Sequence, residues 1–137
     1  MIARLVTLAL LCCPALVPAP PPDVLDFVAS LAGDLSNDDF ASFIRHFDAL
    51  MPGYAEFKSD AESLLGTKDV ESEIEVIAAS GDQQNHALEL DWVLITRDKN
   101  ALNGGTVTRR LVVKCSLKRD RKTWKVFAFD PVRMFRL

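Results

Sequence analysis

The chain is poor in the side chains that most often carry chemistry. It has two histidines, His46 and His86, and one tyrosine, Tyr54, among 137 residues. Histidine is the commonest metal ligand and the usual proton relay near neutral pH. Two isolated copies give no histidine cluster, so no metal centre and no cofactor is expected. Glu71, Glu73 and Glu75 alternate along one segment without a histidine at useful spacing, and they read as a solvated face. Asp38 and Asp39 sit where a helix starts and complement its dipole. Asn103-Gly104-Gly105 has no helix behind it, so it is a turn and not a phosphate loop. No Ser–His–Asp order stands out, and no catalytic residue is assigned.

Cysteine is scarce in a useful sense as well. Of the three, Cys12 and Cys13 lie in an N-terminal apolar run, which leaves Cys115 alone. A lone cysteine excludes an internal disulfide, and its place in an apolar strand makes it a small buried hydrophobe. Excess base is missing too: the net charge is -3, which argues against nucleic acid. The basic residues Arg109, Arg110, Lys114, Lys118, Arg119, Arg121, Lys122 and Lys125 read as a strand face answering acidic neighbours.

No apolar run reaches the roughly 20 residues that a membrane span requires. Arg4 followed by the largely apolar residues 5–13 is instead the pattern of a secretory leader. Residues 1–15 are assigned to it, with cleavage after Ala15. A cut after Ala19 is hindered by Pro20. Leu10-Leu11-Cys12-Cys13 makes a poor lipoprotein box, because Cys12 stands where a small residue belongs. The protein is therefore expected to be exported, to the periplasm or the exterior, without a lipid anchor. Residues 16–22 form a proline-rich spacer, and 23–137 form one domain, long enough to bury a core.

Three helices come first. Asp23 caps one, with Val24, Phe27, Val28 and Leu31 at helical spacing and Gly33 at its end. Ser36 to Asp39 opens a second, whose stripe is Phe40, Phe43, Ile44 and Phe47. Met51-Pro52-Gly53 is a break, and a third helix over 54–65 turns Phe57, Ala61, Leu64 and Leu65 inward before Gly66. The period then changes to two. Strands are predicted over 70–79, 87–97, 106–119 and 123–129, joined by short polar connections that imply an antiparallel meander. Helices first and strands later give an α+β fold, with three helices packed on a curved sheet of four or more strands.

The inner face reads Ile74, Val76, Leu88, Leu90, Trp92, Leu94, Leu111, Val113, Cys115, Leu117, Trp124 and Val126. With five helical phenylalanines, the two tryptophans bury area worth on the order of 10 to 20 kcal/mol before entropy. The outer face carries acids early and bases late, but also Val93, Ile95, Val112, Phe127 and Phe129. Large apolar groups on a charged face point to a partner, and a homodimer packed sheet on sheet is expected. Arg109 and Asp130 share parity with the inner face near strand ends. With Tyr54 and Trp92 they are read as the mouth of a small-ligand pocket.

The three helices and the ending Trp124-Lys125-Val126-Phe127-Ala128-Phe129-Asp130-Pro131 resemble the nuclear transport factor 2-like superfamily. That superfamily comprises cone-shaped α+β domains and includes ketosteroid isomerase, scytalone dehydratase and the SnoaL-like polyketide cyclases. The likeness is greatest to secreted bacterial members of unknown function, through Met51 to Tyr54 and Leu90-Asp91-Trp92. It implies a cone whose mouth holds a small apolar molecule. The enzymes of the group place an Asp, Tyr or His inside, and no residue here matches those positions. The reading is therefore a binding domain for a small apolar or amphipathic ligand or a protein partner. The alternatives are an isomerase, dehydratase or cyclase using an acid in the cone, and a pure dimerisation module with a filled cone.

Overall fold

The computed structural model describes residues 19–100, 102 and 104–137. The expected leader, its cleavage after Ala15 and residues 16–18 of the spacer lie outside the described residues. The elements are α1 (Pro22–Ser36), α2 (Phe40–Arg45), α3 (Tyr54–Thr67), β1 (Lys68–Gly81), β2 (Asn85–Asp98), β3 (Val107–Asp120) and β4 (Thr123–Asp130). The sheet is an antiparallel meander in the order β1-β2-β3-β4. No helix among the described residues is long and apolar enough to cross a membrane.

The helix starts differ from expectation by a few residues. Pro22 opens α1, where a missing N–H loses nothing. Asp23 lies inside the first turn and is not the cap. Gly33 does not stop α1, which runs on to Ser36. For α2, Asp39 itself is the cap, accepting from the Ser42 backbone N–H at 3.1 Å. Gly53 precedes α3 with φ 74°, and a Cβ there would lie 2.9 Å from Val132. Only glycine fits both demands.

Cross-strand rows fix the inner face. Ser72 pairs with Leu94, Ile74 with Trp92, Leu90 with Val113 and Leu88 with Cys115. Two bulges interrupt the alternation. Ile77 is the extra residue of β1, between Val76 and Ala78. Phe127 is the extra residue of β4, where Ser116 pairs with Ala128 and Leu117 with Val126. A bulge inserts one residue and reverses the facing of those beyond it. Two expectations fail for this reason. Phe129, assigned to the outer dimer face, is buried at 6% exposure. Asp130, assigned to the inner face, is exposed.

The rest of that outer set stays outside. Val112 and Phe127 are exposed, and Val93 and Ile95 are half-buried. The acid–base answer across the face is partial. Glu89 sits opposite Lys114, and Arg110 Nε donates to Asp91 at 3.0 Å. Glu71 and Glu73 instead face Ile95 and Val93, and Lys118 faces Lys125.

Candidate functional site

Aromatic side chains fill the space between helices and sheet. Phe57 packs tilted against Phe47 with ring centres 4.4 Å apart and meets Phe129 at 5.1 Å and Phe135 at 5.4 Å. Trp92 is fully buried, edge-on to Phe129 and Phe135 at 5.8 Å each. Its indole N–H donates to Ser72 Oγ at 2.8 Å, which satisfies the one polar atom it brings inside. Phe135 belongs to the segment after β4. Arg109 anchors that segment by donating to the Met134 and Arg136 carbonyls.

The four residues expected at a pocket mouth are thus dispersed. Trp92 and Arg109 both engage the C-terminal segment, Trp92 from within and Arg109 from the half-buried start of β3. Tyr54 is half-buried where α3 begins, packed against the core. Asp130 lies at the end of β4 and lines a trough described below. No side-chain hydrogen bond joins these four to one another among the described residues.

A different set converges at the opposite strand ends. The start of α1, the β1–β2 turn, His86, Arg119 and Trp124 enclose an open groove of about 610 Å³. That size is within the range of about 300–1,000 Å³ typical of small-molecule sites. Pro20, Pro21, Ala79 and Trp124 supply the apolar wall. Asp23 organises the polar end. Its Oδ2 accepts from Arg119 at 2.7 Å and from the Trp124 indole at 3.0 Å. The Arg119 guanidinium lies 4.2 Å from the Trp124 ring centre and donates to the Gln83 carbonyl at 2.6 Å. The bonds from Arg119 and Trp124 hold the Asp23 carboxyl below the usual carboxylate range. Asp82 is lowered likewise, by the backbone N–H groups of Gln84 and Asn85 that it caps.

His86, one of the two isolated histidines, is buried. Its parity with Leu88 and Leu90 places it on the inner face, opposite Leu117. The ring meets Trp124 edge-on at 5.3 Å. Its Nδ1 is buried with no hydrogen-bond partner. Such an orphan costs roughly 1–3 kcal/mol and is exceptional in folded proteins. Sequence reasoning missed this site. Parity alone could have moved His86 inside, but the meeting of Asp23 with Trp124 depends on tertiary packing.

A second trough of about 520 Å³ crosses all four strands. The row Ala79, Leu88, Cys115 and Phe129 lies beneath it, and the small residues Ala78, Ser80, Ala87, Ser116 and Ala128 flank that row. These flanking residues have outward parity, so the trough opens on the outer face. Burial pushes the Cys115 thiol up to about 12. Among the described residues, no group of three or more His, Cys, Asp or Glu could hold a metal ion.

No protein-family model matches the sequence, nor does any curated protein sequence. Solved structures do match in fold. A conserved protein from Planctomyces limnophilus superposes with a TM-score of 0.68 at 8% identity, covering 78% of this chain and 90% of the other. A ketosteroid isomerase-like protein from Erwinia carotovora gives 0.62 at 11% identity, covering 78% and 90%. A candidate dehydratase of the nuclear transport factor 2-like family from Streptomyces avermitilis gives 0.63 at 12% identity, covering 78% and 91%. The chain therefore has the cone-shaped α+β fold of the nuclear transport factor 2-like and ketosteroid isomerase-like proteins.

Proposed function

We propose that this is an exported binding domain whose groove at the α1 end takes a small amphipathic molecule. The observation that carries the reading is the pairing of an apolar wall with a preorganised polar end, formed by Asp23, Arg119 and Trp124 beside the buried His86 ring. Groups already held in place lose little freedom when a ligand arrives. The aromatic filling of the cone's interior favours binding here over turnover there. Fold likeness to proteins named for dehydration or isomerisation does not carry their chemistry across. Native mass spectrometry of the protein purified from an expressing cell tests the reading. A small-molecule adduct, lost in Gln84→Trp, is expected. Gln84 lines the groove with an exposed side chain and makes its bonds through its backbone, so this change fills the space without removing a contact.

A second reading concerns the outer face. We propose that two copies pair across it, supported by the exposed Ile77, Val112 and Phe127 beside the small-residue trough. Light scattering at high micromolar concentration tests this. Phe127→Lys should turn a dimer into a monomer, and a wild-type monomer under those conditions would rule pairing out.

A further inference from the structure

We propose that two copies paired across the outer face are turned so that the acidic corner of each sheet lies on the basic corner of the other. The inference rests on the pairing proposed above and adds what orients it. Glu71, Glu73 and Glu75 are exposed on the edge strand β1 and form no ion pair among the described residues. Glu71 and Glu73 face Ile95 and Val93 in register. The nearby bases answer other acids: Arg97 stands opposite Asp69, and Arg110 is held by Asp91. At the diagonally opposite corner, Lys118, Arg121 and Lys122 are exposed and Lys125 is half-buried, again without an ion pair among the described residues. Asp120 offsets one of these four charges. Lys118 and Lys125 face each other directly across the strands, and like charges so placed are destabilising in the single copy.

A face charged oppositely at two diagonal corners is complementary to itself when turned over. The register gives the arrangement. Glu71 and Glu75 lie level with Thr108 and Val112 of β3, through Ile95 and Asp91 of β2. Lys118 lies at the far end of β3, beside Lys125 of β4. The small-residue trough occupies the levels between, around Lys114 and Ser116. A two-fold axis between the sheets, crossing the strands obliquely at the trough, carries each corner onto the other, so the contact is made twice. Apolar groups accompany the charges. Val93 and Ile95 flank the acids, and the exposed Phe127 lies two residues from Lys125, so the same turn sets apolar surface on apolar surface. A nucleic acid or an anionic bilayer drawn to the bases is repelled by the acids on the same face. A second copy brings both signs in the places required. The inference is independent of the groove reading.

Two variants and their mixture test it. Glu71→Lys with Glu73→Lys reverses the acidic corner, and Lys118→Glu with Lys125→Glu reverses the basic one. The second change keeps one pair of like charges facing across the strands, so the fold loses nothing there. Each variant alone should dimerise about 100-fold more weakly than wild type, because it brings like charges together at both contacts. An equal mixture should dimerise again, as one copy of each by native mass spectrometry. If either variant melts below wild type, salt decides. Raising it from about 50 to about 500 mM should weaken the wild-type dimer about tenfold. Variants that dimerise as tightly as wild type, a mixture of fully folded variants that stays monomeric, or a wild-type dimer indifferent to salt overturns the proposal. A dimer dissolved by Phe127→Lys but untouched by the charge reversals would keep the pairing and reject this orientation. A wild-type monomer at high micromolar concentration would reject both.

Discussion

Trp124 donates its indole N–H to Asp23 Oδ2 at 3.0 Å across 101 residues of sequence. One bond thereby ties the first turn of α1 to the start of β4. With Arg119 on the same oxygen, it also sets the polar end of the groove. The wall and the polar groups of the proposed site stand or fall together on this carboxylate.

Asp23→Asn should therefore lose stability in a pH-dependent way. The folded carboxyl titrates below its usual range because Arg119 and Trp124 bond to it. A depressed folded value stabilises the fold above the unfolded pKa and loses that effect as pH falls through the folded one. The gap between wild type and variant should hold from neutrality to about pH 4 and close below it. Asp23 is about half exposed, so solvent screening limits the gap to about 1 kcal/mol. Urea denaturation at several pH values reads it.

Ser72→Ala should cost more than its size implies. The hydroxyl is the partner of the Trp92 indole in a fully buried site. Its removal leaves a buried donor unpaired, at roughly 1–3 kcal/mol. Trp92 fluorescence during chemical unfolding should show the lower midpoint.

Arg109→Ala should loosen the end of the chain. It removes the donors to the Met134 and Arg136 carbonyls. A loss of roughly 1–2 kcal/mol is expected for charged donors at a half-exposed position. Hydrogen exchange should quicken at Met134 to Arg136 before it quickens in β2.

Cys115 should resist thiol reagents in the native protein. Burial removes access and raises the thiol to about 12, so little thiolate exists at neutral pH. Labelling should follow the opening of the fold, and a disulfide reagent should react fully only in denaturant.

The sheet and its order were legible because the alternation in β2 and β3 runs nearly unbroken. Leu88, Leu90, Trp92 and Leu94 all turn inward, as do Val113, Cys115 and Leu117. Parity failed in β4, where the bulge at Phe127 sent Phe129 inward and Asp130 outward. Nothing local marks a bulge of ordinary residues. Gly53 was legible as a break, but its close approach to Val132 was not. The groove escaped for another reason. Asp23 read as a helix cap and Arg119 as one of several strand bases, and only packing brings both to Trp124.

The most direct test of groove binding is a titration of the labelled protein with a panel of small amphipathic molecules, followed by nuclear magnetic resonance. The expected result is a set of saturable shifts at the Trp124 indole, Arg119 Nε and the His86 ring for at least one compound, abolished in Gln84→Trp. Shifts confined to Ala87, Ser116 and Ala128 in the outer trough, or no saturable shift across the panel, would contradict it.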